Sequence, residues 1–266
     1  MRVVSWNVNS IRTRAGLVAD VLDDEQPDVV ALQETKCSTA QFPAAPFTDR
    51  DYEWVHYGRG AQNGVALASR HGFEDVRVGF SGDTKPPFDE CRLIAATIGD
   101  VRVLTLYAPN GAKRKSHSWH LKLAWFELLQ TELRFELEDY GDVLVIGDFN
   151  VCPTPDDLYE PTKRHRNLVS DEERAAFAGI IELGLMDLAA AMHGPTAGYT
   201  WYAYRKGQFE SDRGYRLDHA LATPALANRA ARCEPLRRWR DPALRPSDHV
   251  PLIVEWSPGA SGSSLR

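Results

Sequence analysis

Polar residues suited to handling a charged substrate recur where strand-like runs end. Asn7 and Asn9 follow Val3-Val4, Glu34 follows Val29 to Leu32, and Asp148 and Asn150 follow Val143 to Ile146. Asp218 sits inside Arg216-Leu217-Asp218-His219-Ala220-Leu221, and Asp248-His249 directly precedes a run from Val250 to Val254. Taken singly, each is most simply a turn residue, because Asn and Asp bond their own backbone and tolerate left-handed conformations. Their recurrence at equivalent strand ends, on the loops where sites are usually assembled, points to shared chemistry.

The residue types agree on what that chemistry is. Carboxylate oxygens of Glu34 and Asp248, with an Asn amide oxygen, suit a hard divalent cation such as Mg²⁺ and are a poor set for zinc. Asp218 and His249 are the makings of a carboxylate–imidazole pair, which leaves Asp148 as a base or orienter for water. Hydrolysis of a phosphodiester needs that division of roles.

Short strands must position these groups. Apolar, β-rich runs bounded by turn residues predict strands over Val3 to Val8, Val29 to Gln33, Val65 to Ser69, Leu93 to Ile98, Val101 to Tyr107, Val143 to Asp148, Leu217 to Ala222 and Leu252 to Trp256. Apolar residues at helical spacing predict a long helix over Leu121 to Leu137. Shorter helices are predicted over Ala15 to Leu22 and from Asp171, as cap, to Leu183. Both element types mix along the whole length, so one α/β domain over 1–256 is expected, with a disordered tail over 257–266.

Composition sets the outer limits. At 266 residues, 43% hydrophobic and 26% charged, the chain is globular in balance, and no apolar run approaches the ~20 residues of a membrane span. No export signal opens it, so a cytoplasmic location is the default expectation. Cys37, Cys91, Cys152 and Cys233 are widely spaced, as buried thiols rather than a metal cage. The net charge of −6 argues against binding nucleic acid by bulk charge, yet between Trp201 and Arg240 nine basic residues face four acidic ones. Further basic clusters lie at Lys113 to Lys115 and at Lys163 to Arg166. A polyanion would meet a local positive face; solvated loop charges are the plainer alternative.

Eight segments, in order, carry a family resemblance: Ser5-Trp6-Asn7-Val8-Asn9, Leu32-Gln33-Glu34-Thr35-Lys36, Asn63-Gly64-Val65-Ala66, Tyr107-Ala108-Pro109-Asn110-Gly111, Gly147-Asp148-Phe149-Asn150, Trp201, Gly214-Tyr215-Arg216-Leu217-Asp218 and Ser247-Asp248-His249. Together they resemble the exonuclease III family of abasic-site DNA endonucleases, within the endonuclease/exonuclease/phosphatase superfamily. The resemblance implies a four-layered α/β sandwich, two facing mixed β-sheets flanked by helices, with the active site at one edge between the sheets. It implies Glu34 as principal metal ligand, Asn7 beside the metal, and Asp248 supporting it or a second ion. Asp148 would activate or position water, Asn150 help hold it, and Asp218 pair with His249 on the scissile phosphate. Tyr107 and Asn110 would face the phosphate or leaving group, Trp201 the sugar pocket, and Arg216 the substrate.

The expected activity is Mg²⁺-dependent cleavage of double-stranded DNA 5′ to abasic sites, with 3′→5′ exonuclease and 3′-end-cleaning activity. Mn²⁺ is the expected substitute, one or two ions the expected load, and a monomer the expected state. A superfamily phosphatase or lipid phosphodiesterase is the nearest alternative, and a non-catalytic DNA-binding protein of the same fold the more distant one. Two positions depart from the family pattern: Ala203 stands where an Asp is usual, and Asp212 where an Asn contacts phosphate. A carboxylate cannot donate to phosphate. Asp212 either repels the backbone or pairs with Arg213 or Arg216. Trp119 and Trp125 read as core residues.

Overall fold

Alternation along the strands decides how the layers stack. The computed structural model describes residues 1–81, 90–160, 168–204 and 207–257. One sheet holds β1 (Arg2–Asn7), β2 (Val29–Gln33), β3 (Glu53–Tyr57), β4 (Val65–Ser69), β11 (Ala230–Pro235) and β12 (Leu252–Trp256), in the order β11-β12-β1-β2-β4-β3. The other holds β5 (Glu74–Val78), β6 (Leu93–Ile98), β7 (Val101–Tyr107), β8 (Val143–Asp148), β9 (Met186–Asp187) and β10 (Asp218–Ala222), in the order β5-β6-β7-β8-β10-β9. Each sheet is mixed, with β1–β2 and β7–β8 as parallel pairs.

Val3, Val29, Ala31, Val65 and Leu67 of the first sheet meet Ile94, Ala96, Val103, Leu144 and Ile146 of the second in one buried layer. Their strand neighbours point the opposite way, as a period of two requires. Val4, Trp6, Val30 and Leu32 therefore pack against Leu17, Val18, Val21 and Leu22 of α1 (Ile11–Glu25). Leu104, Leu106, Val143 and Val145 pack against Trp125, Leu129 and Leu133 of α3 (His117–Asp139) and Phe177 and Ile180 of α4 (Asp171–Ile181). The result is helix, sheet, sheet, helix, the expected four layers. The shorter helices α2 (Ala45–Thr48), α5 (Leu188–His193) and α6 (Pro224–Ala227) fill the ends.

Every predicted strand is present, within a residue at either end. The strands not anticipated are β3, β5, β9 and β11; β5 and β11 carry exposed or charged side chains, and β9 has two residues. Edge strands of this kind lack the continuous apolar run that marks a central strand. At α4 the expected cap moves by one residue: Ser170, not Asp171, accepts from Glu173 N–H, and Glu173 returns the bond in a capping box. Trp119 and Trp125 are buried, as expected, and all four cysteines are free and buried. Among the described residues no helix is long and apolar enough to cross a membrane. The Lys163 to Arg166 cluster, Arg205, Lys206 and the tail beyond Ser257 lie outside the described residues.

Candidate active site at the edge of the two sheets

The strand registers bring the polar residues to one edge. In the first sheet Asn7 pairs with Gln33, which sets Glu34 beside Asn7 at the ends of β1 and β2. In the second, Asp148 is in register with both Tyr107 and Asp218. Gly147 allows the close approach: at φ +147° its missing Cβ would lie 2.1 Å from the Leu106 carbonyl oxygen. Glu34 and Asn150 hold left-handed backbone at φ 51° and 52°. Non-glycine residues adopt that region at a cost, and such residues cluster at functional sites.

Side chains then join the two sheets. The Asn7 amide donates to Glu34 Oε1 at 2.8 Å and to Asp148 Oδ2 at 2.9 Å. Asn150 donates its backbone N–H to Asp148 Oδ1 at 2.8 Å, and Asn110 donates to Asn150 Oδ1 at 3.2 Å. His249 Nδ1 is 2.8 Å from Asp218 Oδ2, while its Nε2 lies 3.7 Å from Asp148 Oδ2. Glu34, Asp148 and His249 each present a ligand atom within 4.8 Å of the others. Oxygen donors dominate this set, the imidazole is already engaged by Asp218, and Asp218 Oδ1 is buried without a partner. Such a set fits a hard divalent cation.

Burial and neighbouring charge tune these groups. Burial raises the Asp148 carboxyl, with Asp218 and Glu34 adding to the rise and His249 opposing it. Burial alone would lower His249, but Asp218 and Asp148 outweigh it and keep the ring protonated. Burial likewise works against charge on Glu34, yet donors from Lys36 and Asn7 hold its carboxyl below the usual range. Burial, with Glu34 and Asp148 behind it, pushes the Tyr107 phenol well above its ordinary range, so it stays a neutral donor.

A match to the Endonuclease/Exonuclease/phosphatase family extends over residues 4–249, from β1 to His249. The chain belongs to this family. Exodeoxyribonuclease III of Haemophilus influenzae is 29% identical over 96% of this chain and 100% of that protein. An exodeoxyribonuclease of Bacillus subtilis is 30% identical over 85% and 89%. A Neisseria 3′ phosphatase bound to a product DNA hairpin superposes with a TM-score of 0.93 at 36% identity, over 97% of this chain and 99% of that one. An AP endonuclease of Archaeoglobus fulgidus does so at 0.91 and 37%, over 97% and 100%. These relatives place the chain on the exonuclease III branch of the family, as an enzyme of the hydrolase class.

Within this family site, one expected role needs correction. Arg216 does not face a substrate: 3% exposed, it lies 2.5 Å from Asp157 and 2.7 Å from Asp187 and touches His219. A guanidinium so paired is a buried tie between loops. Asp248 takes Asn9 Nδ2 on Oδ1 and the Trp201 indole N–H on Oδ2, each at 3.0 Å, and is linked to Glu34 through Asn9 and Lys36. It orients Trp201, whose ring lies tilted against Tyr215, centroids 5.4 Å apart. Asp212 pairs neither with Arg213 nor with Arg216; it lies 2.7 Å from Arg237 and accepts from the Tyr202 hydroxyl at 2.7 Å.

Several supporting residues escaped the sequence reading. Lys36 Nζ lies 2.6 Å from both Glu34 Oε2 and Asn9 Oδ1. Thr200 Oγ1 accepts from Leu217 and Asp218 N–H, fixing the start of β10. Ser247 donates to the Asn7 carbonyl at 2.7 Å, and the Trp6 indole donates to the His249 carbonyl at 3.0 Å. Lys36 and Trp6 lie inside the family segments, but spacing alone does not say which side chains face inward.

Proposed function

We propose that the chain is a Mg²⁺-dependent DNA repair nuclease, with Mn²⁺ as substitute, acting as a monomer. It hydrolyses the phosphodiester 5′ to abasic sites in duplex DNA, leaving a 3′-hydroxyl, and trims or dephosphorylates blocked 3′ ends. The observation that carries this reading is the buried line Asp218–His249–Asp148 beside Glu34, at the mouth between the sheets. Relatives described as a 3′ phosphatase with a DNA hairpin and as an AP endonuclease support the substrate class.

Glu34, with Asn7 and Asp148 beside it, would hold the ion, whose positive charge supports the phosphoryl and leaving oxygens when bound. Asp148, its carboxyl raised by burial, accepts a proton from the attacking water, and the Asn150 N–H fixes its orientation. His249, kept protonated by Asp218, donates to a non-bridging oxygen as charge builds there. Tyr107 and Asn110 add neutral donors on the other flank. Trp201, held by Asp248 and backed by Tyr215, walls the space for a sugar without a base. Turning out such a nucleotide costs less than turning out a paired one.

A substrate panel tests this reading: abasic, blunt and 3′-phosphate duplexes against inositol phosphates and sphingomyelin, with Mg²⁺ and with chelator. Metal-dependent incision of the abasic duplex with a 3′-hydroxyl product is expected. Turnover confined to the non-DNA substrates would move the chain to another activity of the superfamily, and binding without cleavage would make it a scaffold.

A further inference from the structure

Among the described residues, most arginines of the run from Trp201 to Arg240 are neutralised within the protein; Arg213 and Arg240 have no such pair. Arg216 is paired to Asp157 and Asp187, Arg229 to Asp142, Arg232 to Glu234 and Glu255, Arg237 to Asp212 and Arg238 to Glu25. No carboxylate among the described residues lies within 4.0 Å of Arg240. Its side chain is 3% exposed, Nη2 donates to the Tyr202 carbonyl at 3.2 Å, and Nε is buried with no partner. The guanidinium is flanked by the rings of Tyr204 and Phe209, at 5.1 and 5.4 Å. An unsatisfied buried cation is costly.

Arg240 lines a cleft of about 180 Å³ beside the Trp201–Asp248 side of the active site, with Ala203, Tyr204, Phe209, Glu210 and Arg245. Ala203, at a position where an acid is usual in the family, contributes only a methyl group to the same lining. Glu210, the one acid among the described lining residues, is exposed. The wall is held in place: the Tyr204 hydroxyl donates to the Pro246 carbonyl and accepts from Arg14, each at 3.1 Å. The volume is below the ~300–1,000 Å³ of small-molecule pockets, and at ~30 Å³ per water it suits a phosphate group with its hydration.

We propose that this cleft is a phosphate subsite in which Arg240, with Arg245 at its side, takes a backbone phosphate of the bound duplex. The inference rests on the DNA reading above. A guanidinium offers phosphate paired parallel donors, and the free Nε–H completes such a fork. Burial holds the Arg240 pKa below its ordinary range, with Tyr204, Asp248 and Glu210 only partly offsetting it, as for a cation awaiting its counter-charge.

The test uses the 266-residue chain with Mg²⁺ and a duplex closed by hairpins at both ends, which offers neither abasic site nor 3′ end to cut. Affinity is measured across a salt series for wild type, Arg240→Gln and Ala203→Asp. Loss of one phosphate contact should make the plot of log K against log salt shallower by about 0.9 in both variants and weaken binding across sequences. Ala203→Asp places a carboxylate in the cleft and should keep or raise Tm, so a folding defect in Arg240→Gln would not obscure the result. Wild-type slopes in both variants would overturn the subsite. A gain in Tm with inorganic phosphate that Arg240→Gln abolishes, at unchanged DNA slope, would make it a free-anion site and overturn the DNA assignment. Cleavage of an abasic duplex by wild type, run in parallel, separates these failures from failure of the nuclease reading itself.

Discussion

At the scale of single residues, the site depends on where charge is held. Glu34→Gln keeps the shape of the side chain and removes a ligand charge, so activity should fall steeply at limiting Mg²⁺ and recover in part as Mg²⁺ is raised. Titrating Mg²⁺ against turnover checks this, and wild-type turnover at limiting metal would remove Glu34 from the ion. His56 gives a separate expectation for stability. Burial lowers its pKa to about 4, and its ring nitrogens meet Thr35 and Thr39 hydroxyls at 2.9 Å each. A depressed folded-state pKa contributes stability that is present above the unfolded value near 6.5 and is lost as pH falls through about 4. The stability difference between wild type and His56→Gln should therefore shrink between pH 7 and pH 4 in chemical unfolding; parallel losses would mean that the ring is not held neutral. Glu34, Asp148, Asn150, Asp218 and His249 were legible because acids, amides and an imidazole interrupt apolar runs at strand ends. Arg216 was misread because a charged residue in sequence does not reveal whether Asp157 and Asp187 are waiting for it.

At the scale of elements, the site is placed by strand register and locked from outside by helices. Lys122 of α3 is fully buried, 2.5 Å from Glu173 of α4, and donates to the Asn150 carbonyl at 2.7 Å. It ties the loop after β8 to both helices of that layer. Lys122→Met leaves Glu173 charged and unpaired and should cost roughly 3–5 kcal/mol, the penalty of breaking a buried pair from one side. Urea unfolding measures it, and a loss under about 1 kcal/mol would show the loop to be held by other contacts. Central strands and the long helix were legible from periodicity, because both faces of those strands are buried. Edge strands β5 and β11 were not, since exposed faces tolerate charge and blur the pattern. The Lys122–Glu173 tie was likewise invisible: a lysine within an amphipathic helix ordinarily reads as solvent-facing.

At the scale of the whole molecule, two sheets face each other so that ends of strands from each supply half of one site. Neither sheet carries the chemistry alone, since Asn7 and Glu34 belong to one and Asp148 and Asp218 to the other. The four layers were legible as a resemblance over nearly the full chain; the pairing of the basic run with acids far away in sequence was not, because it is fixed only when the layers close. That closure buries Asp148, raises its carboxyl and sets it 3.7 Å from His249, the geometry on which the proposed hydrolytic role rests. The most direct test is single-turnover cleavage of an abasic duplex by wild type and Asp148→Asn in Mg²⁺, with DNA affinity measured alongside. Near-equal affinity and a ~10²–10⁴-fold slower chemical step are expected of the variant, as for a lost acid–base group. An unchanged chemical step with weakened affinity alone would contradict that role.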